Sequence, residues 1–282
     1  MAEKKPKHAS EYESEQFALV RATCLYVATK LGDLMDDLVV IGGLVPSLLI
    51  DQEKLSDGVD PHVGTMDLDV GLALGLLDAG RYKTLSERLR DADFEMDVNE
   101  KTGNVTRQRW TISKSGTVGV DFLIPPSLPG DKGGRLRHLE RDFAAIIAPG
   151  LALAFEDRER VALQGTTLFG EKASREIWVC GAGAYVVLKA LAFDIRGENK
   201  DAYDLHYVIR AYGAGVEDVA AKLRPIASSP DAKKALAILR RDFLDVDGVG
   251  PRRVADFVRG GPDDEVQADV VGFVRQLLER LG

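Results

Sequence analysis

The sequence predicts an α+β protein: a mixed β-sheet domain with flanking helices, followed by a C-terminal helical subdomain. Three observations carry this. Short apolar runs bounded by glycine and proline crowd the first two thirds, at 38–41, 66–73 and 117–124. After Gly183 the apolar residues recur at helical spacing to the end of the chain. Strands early and helices late imply two layers of organisation with a seam near residue 181. The expected division is therefore a disordered basic tail over 1–12, an α/β domain over 13–180 and a helical domain over 181–282.

In chain order, FALVRATCLYVATKLGDLMDD spaces its apolar positions for an amphipathic helix over 17–36. A short buried strand follows at 38–41. Gly42 and Gly43 then open a second helix over 44–50, with Pro46 tolerated in its first turn. Polar residues with Gly58, Pro61 and Gly64 make 51–64 a loop. A strand at 66–73, a helix at 81–91 and three extended segments at 94–98, 105–112 and 117–124 come next, the last stopped by Pro125 and Pro126. A strand pair is expected at 151–155 and 160–163, then a strand at 176–180. Helices are expected at 184–196, 200–211, 216–224, 231–244, 250–258 and 265–281.

Bulk composition narrows the function classes. The chain has 282 residues, 45% hydrophobic and 29% charged, and no apolar run near the roughly 18 residues a membrane helix needs. MAEKKPKHAS lacks an apolar signal core, so no export is expected. Two cysteines far apart, Cys24 and Cys180, suit a reduced, cytoplasmic protein better than a disulfide scaffold. A formal net charge of −8 argues against indiscriminate nucleic-acid binding and leaves room for a local basic groove. The four histidines are scattered and suggest no zinc site. No phosphate loop of the GxxxxGK[ST] type and no complete GxGxxG occurs; GAGAYV at 181–186 starts a helix instead.

The chemistry-bearing residues form three groups. Asp67 and Asp69 alternate along one extended segment, so both carboxylates share a face while Met66, Leu68 and Val70 turn to the core. Aspartates that merely cap a strand or turn give the same spelling. Asp121 lies within a later apolar strand; if that strand neighbours the first, three carboxylates converge. That set could hold two magnesium ions, and a pair about 3.5–4 Å apart stabilises both oxygens of a phosphoryl displacement. The bland alternative for Asp121 is a salt bridge to an arginine. Gly42 and Gly43, between strand and helix, could turn backbone N–H groups towards an anion. Lys189 and Arg196 are two helical turns apart on one face, and Lys200 and Asp201 open the next helix, a grouping of cations that suits a triphosphate. Its alternative is a solvated face with pairs such as Lys200–Asp204, worth about 0.2–0.5 kcal/mol each. Arg135, Arg137, His138 and Arg141 read as a solvated basic loop, or as a phosphate or RNA contact. His206, between apolar residues, reads as a partly buried core histidine.

Assembled, IGGLVPSLL, GTMDLDVGL and VGVDFL resemble the glycine turn, DxD strand and third acid of the nucleotidyltransferase superfamily. KALAFDIRGENKDAYDL is similar to the lysine-led helix and KDxxD segment of its AbiEii/AbiGii toxin-like members. The resemblance covers roughly 39–210, and the last motif is its specific part. It implies a nucleotidyltransferase-like fold and magnesium-dependent transfer of a nucleoside monophosphate from an NTP to an acceptor hydroxyl. Asp67 and Asp69 would hold magnesium, with Asp121 the third acid. Gly42 and Gly43 would cradle the nucleotide phosphates, Lys189 would touch the nucleotide, and Asp201 would contribute to the active site. Arg196 and Lys200 complete the cationic side. Members are toxins of toxin–antitoxin or phage-defence pairs, and some act on the tRNA acceptor end, so RNA and a cognate antitoxin are the expected partners. A protein hydroxyl and a small molecule such as an aminoglycoside are the other acceptors considered. The gap between Gly43 and Asp67 is longer than usual in the superfamily, as a loop insertion at 51–64 would make it. The alternative from another class is a non-catalytic nucleotide sensor or partner-binding module on the same fold.

Overall fold

A computed structural model describes residues 6–73, 79–99, 102–113 and 116–282. Of the tail expected at 1–12, residues 1–5 lie outside this description. Residues 6–12 run along the C-terminal helices: a 3₁₀ turn spans Ala9–Glu11, His8 Nδ1 meets the Asp256 carbonyl at 3.0 Å, and the Tyr12 ring packs edge-on against Phe257.

The first helix, α1 (Ser14–Leu31), ends earlier than its periodicity suggests, because Gly32 caps it and a 3₁₀ turn takes Gly32–Asp37. Strand β1 (Leu38–Ile41) is buried throughout. The glycine pair begins a 3₁₀ turn, Gly42–Leu44, and α2 (Val45–Leu49) adds little more than one further turn. Then come β2 (Leu68–Leu72), α3 (Ala79–Asp91), β3 (Glu95–Val98), β4 (Val105–Ser113) and β5 (Thr117–Ile124). In β5 the residues that flank Asp121, Val120 and Phe122, are buried, while Asp121 itself is half-buried on the other face.

Two stretches differ from the sequence expectation. Residues 136–147 make a hairpin, β6 (Leu136–Glu140) with β7 (Phe143–Ile147), where a basic loop was expected. The apolar FAAII run supplies a buried strand, and Arg137, which projects from its partner, is tied to Asp131 and Ser127. Conversely, 151–155 is no strand: after the Pro149–Gly150 turn the good helix formers Leu, Ala and Glu make α4 (Leu153–Glu156). The long antiparallel pair here is β8 (Arg158–Thr166) with β9 (Lys172–Cys180), in register from end to end.

These strands form one mixed sheet in the order β3-β4-β5-β2-β1-β9-β8, with β7 joining β5 and β6 joining β7. β2 runs parallel to β5 and antiparallel to β1, and β1 is parallel to β9. The rest is helical as predicted: α5 (Ala182–Arg196), α6 (Asn199–Ala211), α7 (Val216–Leu223), α8 (Pro230–Asp242), α9 (Val249–Arg259) and α10 (Asp264–Leu281). Ser229 caps α8 through Ala232 N–H, and Asp263 caps α10 through Val266 N–H. The change from strand to helix falls at Gly181, but the apolar core does not divide there. One contiguous cluster runs from Val20 in α1 through Phe122 in β5 and Tyr185 in α5 to Leu277 in α10. No helix among the described residues is long and apolar enough to cross a membrane.

Candidate active site

Sheet register brings the carboxylates together. Asp69 stands directly across from Asp121 in the parallel β2–β5 pair, and Ile41, the last residue of β1, stands across from Asp69 on the other side. Asp67 lies just before β2 begins. Because β2 and β5 are neighbours, aspartates 52 residues apart in the chain become adjacent. Leu68 and Val70 are buried as expected, whereas Met66, outside the strand, is only half-buried.

Between these acids stands a residue that the sequence analysis missed. Arg109 on β4 faces Asp121 in register and grips it with Nε at 3.1 Å from Oδ1 and Nη2 at 3.0 Å from Oδ2. The same Nη2 reaches Asp67 Oδ1 at 2.7 Å. The salt bridge weighed as the alternative for Asp121 is thus present, and it coexists with the convergence of the three acids. Burial, and then the charge of Asp69, push the Asp121 carboxyl up to about 7, with Arg109 opposing them. The one sequence signal for Arg109 is its place in the alternation of VTRQRWTIS, on the face opposite Trp110.

Gly42 closes against this cluster. It has φ +71°, and a Cβ there would lie 1.9 Å from Asp69 Oδ2. Gly43 approaches the other half of the site, where a Cβ would come within 3.8 Å of Lys200 Nζ. The glycine pair therefore sits between acids and cations. Only five α-helical residues follow in α2, so the expected array of N–H groups at a helix start is a single turn.

The cations gather where α5 gives way to α6. Gly197, in the left-handed conformation, turns the chain so that α6 doubles back on α5. Lys189 then reaches Asp201 Oδ1 at 3.1 Å and Asp204 Oδ2 at 2.7 Å. Arg196 grips Asp201 through Nε at 2.5 Å and Nη2 at 2.7 Å, and Lys200 pairs with Asp204. The two aspartates are 1% and 0% exposed. Burial opposes the charge of Lys189, but Asp204 and Asp201 outweigh it and hold its pKa above the usual lysine value. Lys200 moves the other way: burial, assisted by Lys189, lowers it against the pull of Asp204. Three cations against two carboxylates leave one positive charge, and Lys200 and Arg196 carry the outer ends of the network. The Lys200–Asp204 pair is not the solvated i,i+4 contact it could have been.

His62 was also missed. The loop 51–64 folds back onto α6, where Gln52 Oε1 accepts from His62 N–H at 2.8 Å and from the Tyr207 hydroxyl at 3.0 Å. His62 Nε2 lies 2.8 Å from Asp204 Oδ1, and Gly64 N–H donates to Nδ1 at 3.1 Å. That second bond puts the ring proton on Nε2, so His62 donates to Asp204 as a neutral imidazole. Burial, and then Lys200, lower its pKa to about 4. Only its long-range partner distinguishes it, and spacing carries no trace of that. From the N-terminal segment Tyr12 places its ring 5.5 Å from Lys200 Nζ, and Tyr203 does the same from α6. His206, by contrast, lies away from this network, beside Asp269 at 3.3 Å, as a buried core histidine.

Of the acids Asp69, and of the cations Lys189 and Arg196, line one cleft together with Gly42. The charge of Asp69 also acts on Arg196, adding to the hold of Asp201. Among the described residues no three acids or histidines already form a cage for a cation, since Arg109 takes up Asp67 and Asp121. The donor types are nevertheless those a hard divalent ion takes: Asp69 and Asp121 are neighbours in the sheet, and Asp67 joins them through the shared Arg109. Compared with protein-family models and with curated proteins, the chain matches none of them.

Proposed function

We propose that the protein is a magnesium-dependent nucleotidyltransferase of the toxin-like kind, moving a nucleoside monophosphate from an NTP to an acceptor hydroxyl. The observation that carries this is the cleft that Asp69 and Gly42 share with Lys189 and Arg196, with Asp121 beside Asp69 in the sheet and Lys200 joined to Lys189 through Asp204. Asp67, Asp69 and Asp121 would hold the divalent cations, which when bound supply Lewis-acid stabilisation of phosphate oxygens and of the attacking hydroxyl. Lys200 and Arg196 would bind the terminal phosphates, Lys200 as a point charge and Arg196 as a fork. Lys189, deeper and pinned by two aspartates, orients the network. Gly42 and Gly43 let the backbone come close to Asp69 and Thr65, and their turn would bring backbone N–H groups towards the phosphate chain. In-line attack forms the acceptor O–Pα bond and breaks the bond to pyrophosphate, with the hydroxyl proton lost to the acid cluster. Fixed charge carries the catalysis.

The first acceptor to test is the 3′ end of tRNA, because members of the family that the motifs resemble use it; a cognate antitoxin is proposed on the same ground. Incubation with magnesium, each labelled NTP and bacterial tRNA should put label into RNA with the wild type, and none with a folded Asp67→Ala/Asp69→Ala variant. Equal labelling by that variant would end the proposal.

A second reading draws on Arg109. Its grip on Asp67 and Asp121 neutralises part of the acid cluster, as a non-catalytic nucleotide sensor would allow. Such a protein would bind NTP and release no pyrophosphate with any acceptor.

A further inference from the structure

The cleft beside the charged network has a second, uncharged half. The whole cleft has a volume of ≈ 210 Å³. Beyond Asp69 its floor crosses the sheet through Leu123 of β5 and Ile146 of β7, which stand in register. Its roof is the face of α5 bearing Leu188, Ala192 and Ile195. Pro149 closes one side, and Ile195 stands at the rim, 54% exposed. No ionised side chain lines this half; the charged lining residues, Asp69, Lys189 and Arg196, all belong to the network already described.

One polar group in the cleft lacks a partner. Tyr185 of α5 lines it, is wholly buried, and its hydroxyl makes no hydrogen bond to any described residue. An unpaired buried hydroxyl costs about 1–3 kcal/mol, and a ligand atom that met it after a small shift of the ring towards the cleft would offset that cost. Burial and the surrounding aspartates raise its pKa, which keeps it a donor.

We infer that the uncharged half of the cleft takes the nucleobase of the NTP, held flat between the Leu123–Ile146 floor and the α5 roof, while the Tyr185 hydroxyl donates to a polar atom of the same nucleotide. This rests on the nucleotidyltransferase proposal and adds where the base goes and how it is read. Pockets that bury a whole drug-sized ligand run to about 300–1,000 Å³, so the smaller space suits a ring system whose charged tail lies outside it. With no ionised side chain, amide or imidazole along this wall, the base is held by shape and dispersion, and discrimination among the four bases is weak.

Calorimetric titration in magnesium tests this with ATP, CTP, GTP, UTP and inorganic tripolyphosphate, on the wild type, Ala192→Phe, Ile195→Asn and Tyr185→Phe. Every NTP should bind the wild type about tenfold or more tighter than tripolyphosphate. Ala192→Phe, which fills the space, should remove that advantage and leave tripolyphosphate binding unchanged. Ile195→Asn, at the exposed rim and without risk to the core, should reduce the advantage several-fold, and Tyr185→Phe should weaken every NTP to a similar extent. If NTPs keep their advantage in both Ala192→Phe and Ile195→Asn, the base lies elsewhere and the inference falls while the proposed activity stands. A preference for one base beyond about a hundredfold would also overturn it, because that requires hydrogen-bond readout. Failure of the wild type to bind any NTP or tripolyphosphate would overturn the proposed activity and the inference together.

Discussion

Gly42 and Asp69 occupy each other's space: the Cβ that Gly42 lacks would lie 1.9 Å from Asp69 Oδ2, on a backbone whose φ is +71°. The end of β1 can therefore meet the acid of β2 only if residue 42 has no side chain. Gly42→Ala combines a left-handed strain of about 1–2 kcal/mol with displacement of the carboxylate. Urea unfolding should show a loss of at least that size, and the proposed magnesium-dependent nucleotide transfer should disappear. A variant with wild-type transfer would show that Asp69 is free to stand elsewhere.

Asp204 is wholly buried and carries Lys189, Lys200 and His62 at once. Asp204→Asn keeps its shape and removes the charge that both lysines need. Breaking one side of a buried ion pair costs about 3–5 kcal/mol, and denaturant midpoints should report a loss in that range. The exposed Lys54–Asp51 pair is the control, and Asp51→Asn should leave the denaturant midpoint unchanged.

His62 makes stability depend on pH. Its pKa in the fold, about 4, lies below the 6.5 of an ordinary histidine, so the unfolded chain binds a proton that the folded one refuses. The stabilisation is complete above pH 6.5 and is lost as pH falls from 6.5 through about 4. By linkage the full loss is on the order of 3 kcal/mol. Asp121, pushed up to about 7, takes up a proton in the fold over the same window and offsets part of this loss, whereas Asp201 and Asp204, whose pKa values are lowered, titrate below it. His62→Gln, which retains a donor for Asp204, should raise the urea midpoint at pH 4 relative to that at pH 6.5, compared with the same difference in the wild type. An unchanged difference would mean that His62 is not the group responsible.

Arg109 competes with any cation for Asp67 and Asp121. Arg109→Gln should tighten magnesium or manganese binding by several-fold and lower the stability of the cation-free protein, since three carboxylates then face each other without a counter-charge. Titration calorimetry and unfolding with and without the ion separate the two effects. Weaker ion binding in this variant would mean that Arg109 organises the acids instead of blocking them.

Much of this was legible in the amino-acid order. Alternation in LDVGL and TVGVDFLI marked the two strands, and periodicity after residue 183 marked all six C-terminal helices. Both are local signals, set by side-chain burial every second residue or every third to fourth. The failures were local too: LALAF spells strand and helix equally well, and only the full β8–β9 pairing left it to a helical turn. The hairpin at 136–147 was hidden because its first strand, LRHLE, lies at the sheet margin and its two leucines, three apart, break the two-residue period of a strand.

The site divides along the same line. Sequence alone determined which residues carry the charge: the Asp67–Asp69 alternation, Asp121 inside a strand, and Lys189, Arg196, Lys200 and Asp201 around one helix break. Tertiary structure decided what each charge meets. It set Asp69 beside Asp121, Arg109 between two acids, His62 beneath Asp204 and an apolar cleft next to the cations. Spacing along a chain specifies a residue's face within its own helix or strand. Partners as far apart as Arg109 and Asp67, or His62 and Asp204, are specified by strand order and by the packing of a loop onto a helix, to which every core residue contributes and which no single stretch encodes.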